Sequence, residues 1–198
     1  MNLTSEEMPE NLCPECGKEV TKENVGRHLF GDCFGKFSDG SESVLPIDVE
    51  KKVKEIDFFS RMSDYTWLSN FYNCSQTVDG RVYQTNEHYY QSQKAVTPEK
   101  EEWIISSKNP GEAKRRGQSL EKNEMKKNWN RIKDNIMLKG LRAKFQNPEL
   151  HQKLLDTGDA ILHEDSPSDT YWGKKGKDVL GKLIMQVRAE IQADVLFG

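Results

Sequence analysis

No apolar run in this sequence approaches the roughly 18 residues of a membrane span. Hydrophobic residues make up only 35% of the 198, so no membrane-spanning helix is expected. Residues 1–10 are acidic and contain no apolar h-region, so no secretory signal peptide is expected and a cytoplasmic, or nuclear-permissive, location follows by default. Cysteine is scarce: Cys13, Cys16, Cys33 and Cys74, three of them close together and one alone. That is a poor disulfide framework and a better metal pattern. A surplus of one charge is also missing, since the formal net charge is −3. The slightly acidic balance argues against bulk duplex binding driven by counterion release.

What is present is charge, at 31% of residues, and its distribution is uneven. Residues 1–57 carry 13 acidic and 7 basic side chains, whereas 114–144 carry 11 basic and 3 acidic ones. The basic block has helical periodicity, which suits a solvated helix face and would also gather phosphates. The length fits one domain with its own core plus an appendage, in a soluble, helix-rich protein.

The appendage is residues 1–36. Cys13, Cys16, His28 and Cys33 are spaced C-x2-C-x11-H-x4-C, the first pair on a turn bearing Pro and Gly, the second where a short helix would present both ligands. Thiolate and imidazole in a four-ligand set select a tetrahedral, structural Zn2+ with no open position. So short a module takes its folding energy from the metal. It would serve as a scaffold, a partner contact or a contact to nucleic acid. Residues 37–55, rich in Gly, Ser, Asp and Glu, read as a linker, and a second domain is expected over 56–198.

Within that domain Ile56–Phe59 and Ala160–Glu164 read as strands, and Thr77–Tyr83 as a hairpin turning on Asp79-Gly80. Thr97-Pro98, Asn109-Pro110 and Asn147-Pro148 each supply a cap and a first-position proline for a helix. A long helix is expected from about Asn123 to Phe145, with Met125, Trp129, Ile132, Ile136 and Phe145 inward. Lys126, Lys127, Arg131, Lys133, Lys139, Arg142 and Lys144 form its polar face. The last helix runs from Val179 to about Leu196.

Thr85–Ala95 is the stretch around which the chemistry gathers. Read as a helix capped by Thr85, it puts Glu87, Tyr90, Gln91 and Lys94 on one face. A carboxylate, a phenol, an amide and an amine make an odd core stripe and a plausible active-site wall; the plain alternative is a solvated face with a Glu–Lys pair. Trp67–Tyr72 sets Ser69 and Asn70 among aromatics, a composition that suits stacking a ring and bonding its edge. Cys74 reads as a buried thiol. Asp165–Gly173 is a loop with Asp169 beside Tyr171 and Trp172. Lys174-Lys175-Gly176-Lys177 precedes a helix, a weak signal for phosphate.

The motifs Trp67-Leu68-Ser69-Asn70-Phe71, Thr85-x-Glu87-His88-Tyr89-Tyr90-Gln91-x-x-Lys94, Ala113-Lys114-x-x-Gly117, Lys127-Asn128-Trp129, Leu141-Arg142-Ala143-Lys144-Phe145 and Asp169-x-Tyr171-Trp172-Gly173 resemble, in this order, the NADAR superfamily (NAD- and ADP-ribose-associated), also called YbiA-like N-glycosidases. The resemblance spans roughly Ile56 to Leu196. It implies a compact, helix-rich α+β domain that cleaves N-glycosidic bonds without a metal or redox cofactor. One branch of the family acts on a ribosylamino-pyrimidine phosphate of the riboflavin pathway, another on ADP-ribosylated guanine in nucleic acid. On the family's pattern Glu87 and Asp169 serve the anomeric carbon and Lys94 is the amine for a Schiff base. Tyr171 and Trp172 would stack the base, and Ser69 and Asn70 would orient ribose or base. Phe71, Tyr90 and Gly173 complete the substrate contacts, and Lys133 and Lys174 would hold phosphate. The last loop departs from the family, with Asp178-Val179 where several glycines and an Asn commonly precede Leu-Gly. The N-terminal module lies outside the family core. It favours an ADP-ribosyl adduct in nucleic acid as substrate, with the riboflavin intermediate and a non-catalytic ADP-ribose or nucleic-acid reader as alternatives.

Overall fold

The computed structural model describes residues 54–60 and 64–197. The expected zinc ligands Cys13, Cys16, His28 and Cys33, the module 1–36 and most of the linker lie outside the described residues. The described residues as far as Gln192 belong to one compact unit, a helix-rich α+β domain. Its elements are β1 (Glu55–Phe58), a 3-10 turn (Thr66–Leu68), β2 (Gln76–Val78), β3 (Arg81–Tyr83), α1 (Asn86–Ser92), α2 (Pro98–Ile105), α3 (Pro110–Gln118), α4 (Trp129–Lys144), α5 (Pro148–Leu155), β4 (Ile161–Glu164) and α6 (Val179–Phe197).

β1 and β4 pair in parallel, with Ile56 opposite Leu162 and Phe58 opposite Glu164. A parallel pair needs a long crossover, and everything between the two strands supplies it. Ile56 and Phe58 alternate inward and join Leu162, Leu141, Phe145, Leu150, Leu180 and Ile184 in the main core. β2 and β3 form the expected hairpin. Asp79 (φ 50°) and Gly80 (φ 77°) both sit in the left-handed region, as a twist-matched two-residue turn requires. Thr85, Thr97, Asn109 and Asn147 cap α1, α2, α3 and α5 through their side chains, the last three ahead of a first-turn proline.

α1 is buried along its whole length. Two glycines let neighbouring helices reach it. A Cβ on Gly117 of α3 would fall 2.2 Å from Gln91 Oε1, and one on Gly140 of α4 would fall 2.1 Å from Asn86 Oδ1 and 2.6 Å from the Tyr89 ring. The space at Gly140 is filled by an amide chain: Gln76 Nε2 donates to Asn86 Oδ1 (3.0 Å) and to Gly140 O (3.1 Å), and Asn86 Nδ2 donates to Asn70 Oδ1 (2.8 Å). His88 is a structural histidine, with Nδ1 2.8 Å from Thr85 Oγ1 and Nε2 3.2 Å from Ser107 O.

Three expectations need correction. The helix starting at Thr85 ends at Ser92, so Lys94 stands in the turn after it, its N–H donating to Gln91 O. The long helix begins at Trp129, not near Asn123. Residues 124–126 instead pair with the turn: Ala95 and Met125 form an antiparallel bridge, Val96 N–H donates to Glu124 O and Lys126 N–H to Lys94 O, both 2.9 Å. Those backbone groups are committed across the chain and are unavailable to a helix, and the pairing fixes Lys94 from both sides. Lys144, assigned to the polar face of α4, is 1% exposed. Its Nζ donates to Leu68 O (3.1 Å) and Ser69 O (2.7 Å) and so ties the Trp67–Tyr72 segment to α4. Burial pulls this amine down from 10.5 to about 7.

Gly140→Ala is expected to cost about 2 kcal/mol by overpacking and to lower Tm by about 4–8 °C, read by calorimetry; an unchanged Tm would mean that the helices part freely. Between pH 7 and 10.5 the unfolded chain holds a proton on Lys144 that the folded one has released, so stability rises with pH across that window. Urea unfolding should show wild type gaining on Lys144→Met by on the order of a few kcal/mol from pH 7 to 10; parallel pH curves would contradict the burial of an amine there.

Candidate active site

A cavity of about 130 Å3 opens where α1, the Trp67–Tyr72 segment, α3, β4 and the Asp169 loop meet. Glu87 enters from the first turn of α1, placed by its own N–H, which donates to Asn70 O at 3.0 Å. It is 5% exposed, and one carboxylate oxygen accepts from Gln91 Nε2 at 2.7 Å. Burial raises its affinity for a proton. The Gln91 amide and the charges of Lys114 and Lys94 pull the other way, and Asp169 adds to the rise. The balance is that of a carboxyl taken out of water and only partly compensated.

Lys94 reaches the same cavity from its bridged turn. Its Nζ lies 5.6 Å from the Tyr90 ring centroid and 5.8 Å from that of Trp129, and no ion pair holds it among the described residues. Burial lowers its pKa, Glu87 opposes that, and the charges of Lys114 and Lys133 add to it. A lysine so placed has more of the free amine that nucleophilic attack requires.

Asp169 closes the opposite wall. Its Oδ1 accepts from the N–H groups of Tyr171 (2.9 Å) and Trp172 (2.8 Å), which folds the loop so that Trp172 stands edge-on to Tyr90, ring centroids 5.5 Å apart. Ser69, Asn70, Phe71, Tyr90 and Trp172 all line the cavity. Eight of the expected residues are therefore brought together.

Four others do not line it. Tyr171 turns its hydroxyl to Asp134, donating at 2.8 Å, and Lys133 Nζ lies 3.2 Å from the centre of the Tyr171 ring. Gly173 is required by packing, since a Cβ would fall 2.6 Å from Asp169 O. Lys174 is ion-paired with Asp57 (2.6 Å) and Asp165 (3.3 Å), so it is not a free cation awaiting phosphate.

The structure adds Lys114, Gln118, Met137 and Glu164 to the lining. Lys114 was visible only as a motif position and Glu164 only as the end of a strand; nothing in the local pattern of either points inward. A second cavity of about 370 Å3 shares Ser69, Phe71, Lys114, Gln118, Glu164 and Asp169 with the first and adds Ser60, Arg115, Ser166 and Ser168. A ligand larger than the inner cavity has room to extend there, toward two cations and three hydroxyls. The departing residue of the last loop is also explained. Asp178 has φ 52°, a conformation that Asn and Asp tolerate better than most, and its carboxylate contacts His163 Nδ1 (2.5 Å) and accepts from the Glu164 N–H (3.4 Å).

Among the described residues no group of His, Cys, Asp and Glu is arranged to hold a metal ion, and no helix is long and apolar enough to cross a membrane. The chemistry on offer is three carboxyls, those of Glu87, Glu164 and Asp169, an amine of lowered pKa and a ring-lined wall.

Comparison with known proteins agrees with this geometry. The model of the NADAR domain matches residues 57–192. The N-glycosidase YbiA of Escherichia coli is 40% identical over 141 residues, covering 69% of this chain and 88% of its own length. An N-glycosidase of Nostoc punctiforme is 34% identical, over 69% of this chain and 92% of its own. A riboflavin biosynthesis protein of Vibrio vulnificus is also 34% identical, over 75% of this chain but only 42% of its own length. The solution structure of E. coli YbiA superimposes with a TM-score of 0.68 at 39% identity, covering 73% of this chain and 89% of that one. With a matching family model over most of its length, and a fold and cavity to suit, the chain belongs to the NADAR domain family.

Proposed function

We propose that this protein is an N-glycosidase that hydrolyses the bond between a ribosyl carbon and a base nitrogen, and that its substrate is an ADP-ribosyl adduct such as ADP-ribosylated guanine in nucleic acid. The observation that carries the reading is that Glu87 and Lys94 line one cavity, where burial shifts each toward its neutral form and the charge of the other only partly opposes the shift. The relatives named N-glycosidases support it.

Breaking the C–N bond builds positive charge on the anomeric carbon. Glu87 is the carboxyl that stabilises this charge, with Asp169 across the cavity sharing the field. The amine of Lys94 then bonds to that carbon, and the ring oxygen departs with its electron pair and takes a proton. A Schiff base results. Water adds its oxygen to the carbon and releases the amine, so the net reaction consumes one water and yields free sugar and free base. Tyr90 and Trp172 offer ring surfaces, and Asn70 and Ser69 polar edges, to whichever portion of substrate fills the inner cavity. The outer cavity, with Lys114 and Arg115, suits the phosphorylated arm. If Cys13, Cys16, His28 and Cys33 bind Zn2+, that module would raise the effective concentration of the domain on a macromolecule.

One observation favours a second substrate: a relative is named a riboflavin biosynthesis protein, which speaks for a ribosylamino-pyrimidine phosphate. Purified protein should be offered guanine-ADP-ribosylated DNA and this phosphate side by side. Free ADP-ribose from the first is the expected result; ribose 5-phosphate from the second alone would place the enzyme in metabolism. Binding of ADP-ribose with no product from either would make the protein a reader. Glu87→Gln should lower kcat by about 100-fold or more with binding largely kept. Cyanoborohydride should trap the sugar on Lys94, and the adduct should vanish in Lys94→Met. Full activity in Glu87→Gln would sink the mechanism.

A further inference from the structure

Three carboxyls face one another across the site, Glu87, Glu164 and Asp169, and they are not equivalent. Glu87 lines only the inner cavity and accepts the Gln91 amide. Asp169 spends Oδ1 on two backbone N–H groups. Glu164 stands at the end of β4, where the inner and outer cavities join, and its Oε2 is buried without a hydrogen-bond partner among the described residues. An orphaned carboxyl oxygen is costly unless it carries a proton or meets a ligand. The surroundings agree. Burial, then the charges of Asp169 and Glu87, raise its pKa to about 7; Lys114 on α3 opposes this and Asp178, ahead of α6, adds to it. Facing carboxyls in a dry site do not all ionise together, and the proton resides on the one with the least compensation.

We propose that Glu164 is the general acid of this site and gives its proton to the nitrogen of the departing base. The assignment rests on the N-glycosidase reading above. As the C–N bond breaks, its electron pair stays on nitrogen and the Glu164 proton joins it there, leaving the base neutral and the carboxylate ionised. The water that finally displaces Lys94 leaves its oxygen on the sugar and returns a proton to Glu164, so the cycle closes with one water consumed. Glu87 and Lys94 act on the carbon, and Glu164, where the two cavities join, acts on the nitrogen.

The test is the pH profile and leaving-group dependence of Glu164→Gln, which keeps the shape of the side chain and loses the acid. With a wild type that cleaves the bond, kcat/KM should fall as pH rises through about 7, because the protonated form is lost. In Glu164→Gln that alkaline limb should disappear and kcat should drop by about 100-fold or more. The loss should be greatest for the most basic leaving nitrogens and small for an N-ribosyl pyridinium, whose base leaves neutral without a proton. Added formate should partly restore Glu164→Ala. A Glu164→Gln enzyme within threefold of wild type overturns the proposal, as does one equally impaired on every leaving group with its alkaline limb intact and no rescue by formate. A wild type that hydrolyses none of the panel overturns the N-glycosidase reading, and this role with it.

Discussion

A carboxyl kept out of water beside two amines is the constraint on which the rest of this structure depends. Desolvating Glu87 is unfavourable, and removing a charged partner from such a site typically costs a few kcal/mol. The fold meets that cost by surrounding α1. Gln91, one turn on from Glu87, bonds it directly. Lys114 arrives on α3, which approaches because Gly117 has no side chain. Lys94 is held after the helix by the bridge between residue 95 and residue 125. Gly140 brings α4 against the other flank, where the amide chain from Gln76 through Asn86 sets Asn70 at the cavity wall. The same close approaches that stabilise the domain therefore define the electrostatics of the site.

Much of this was legible in the sequence because it is local. The Thr-Pro and Asn-Pro caps, the Asp79-Gly80 turn and the Thr85 cap are decided within four or five residues, and they fall where expected. Glu87, Asn70, Trp172 and Asp169 were found as a set through the resemblance, whose motifs lie far apart in the chain and close together in the cavity. What could not be read locally depends on long-range partners. Lys144 looks like one more basic residue on a charged helix, and only Leu68 O and Ser69 O, some 75 residues earlier, make it a core residue. The segment 123–128 looks helical until residues 124–126 are seen paired with residues 94–96. Glu164 ends an ordinary strand, and its raised proton affinity comes first from burial by the surrounding elements and then from the charges of Asp169 and Glu87. Lys174, which composition recommended for phosphate, is engaged by Asp57 and Asp165.

The cavity divides into a small inner chamber and a wider outer one with different linings. The inner chamber is lined by Glu87, Lys94, Tyr90 and Trp172; the outer adds Arg115 and the hydroxyls of Ser60, Ser166 and Ser168 but no further carboxylate. On the proposed reaction, acid chemistry would sit at the junction and the far end would take the anionic part of the substrate. A 3-10 turn, a helix and a loop contribute these walls, each tied down by backbone hydrogen bonds, so the geometry exists before a ligand arrives.

The most direct measurement of the central claim is where oxygen from solvent goes. Turnover in 18O-labelled water, with both products weighed by mass spectrometry, should place one labelled oxygen on the released sugar and none on the free base. Label on a phosphate, or a sugar and base still joined after an ester has been cut, would contradict an N-glycosidase and send Glu87 and Lys94 in search of another role.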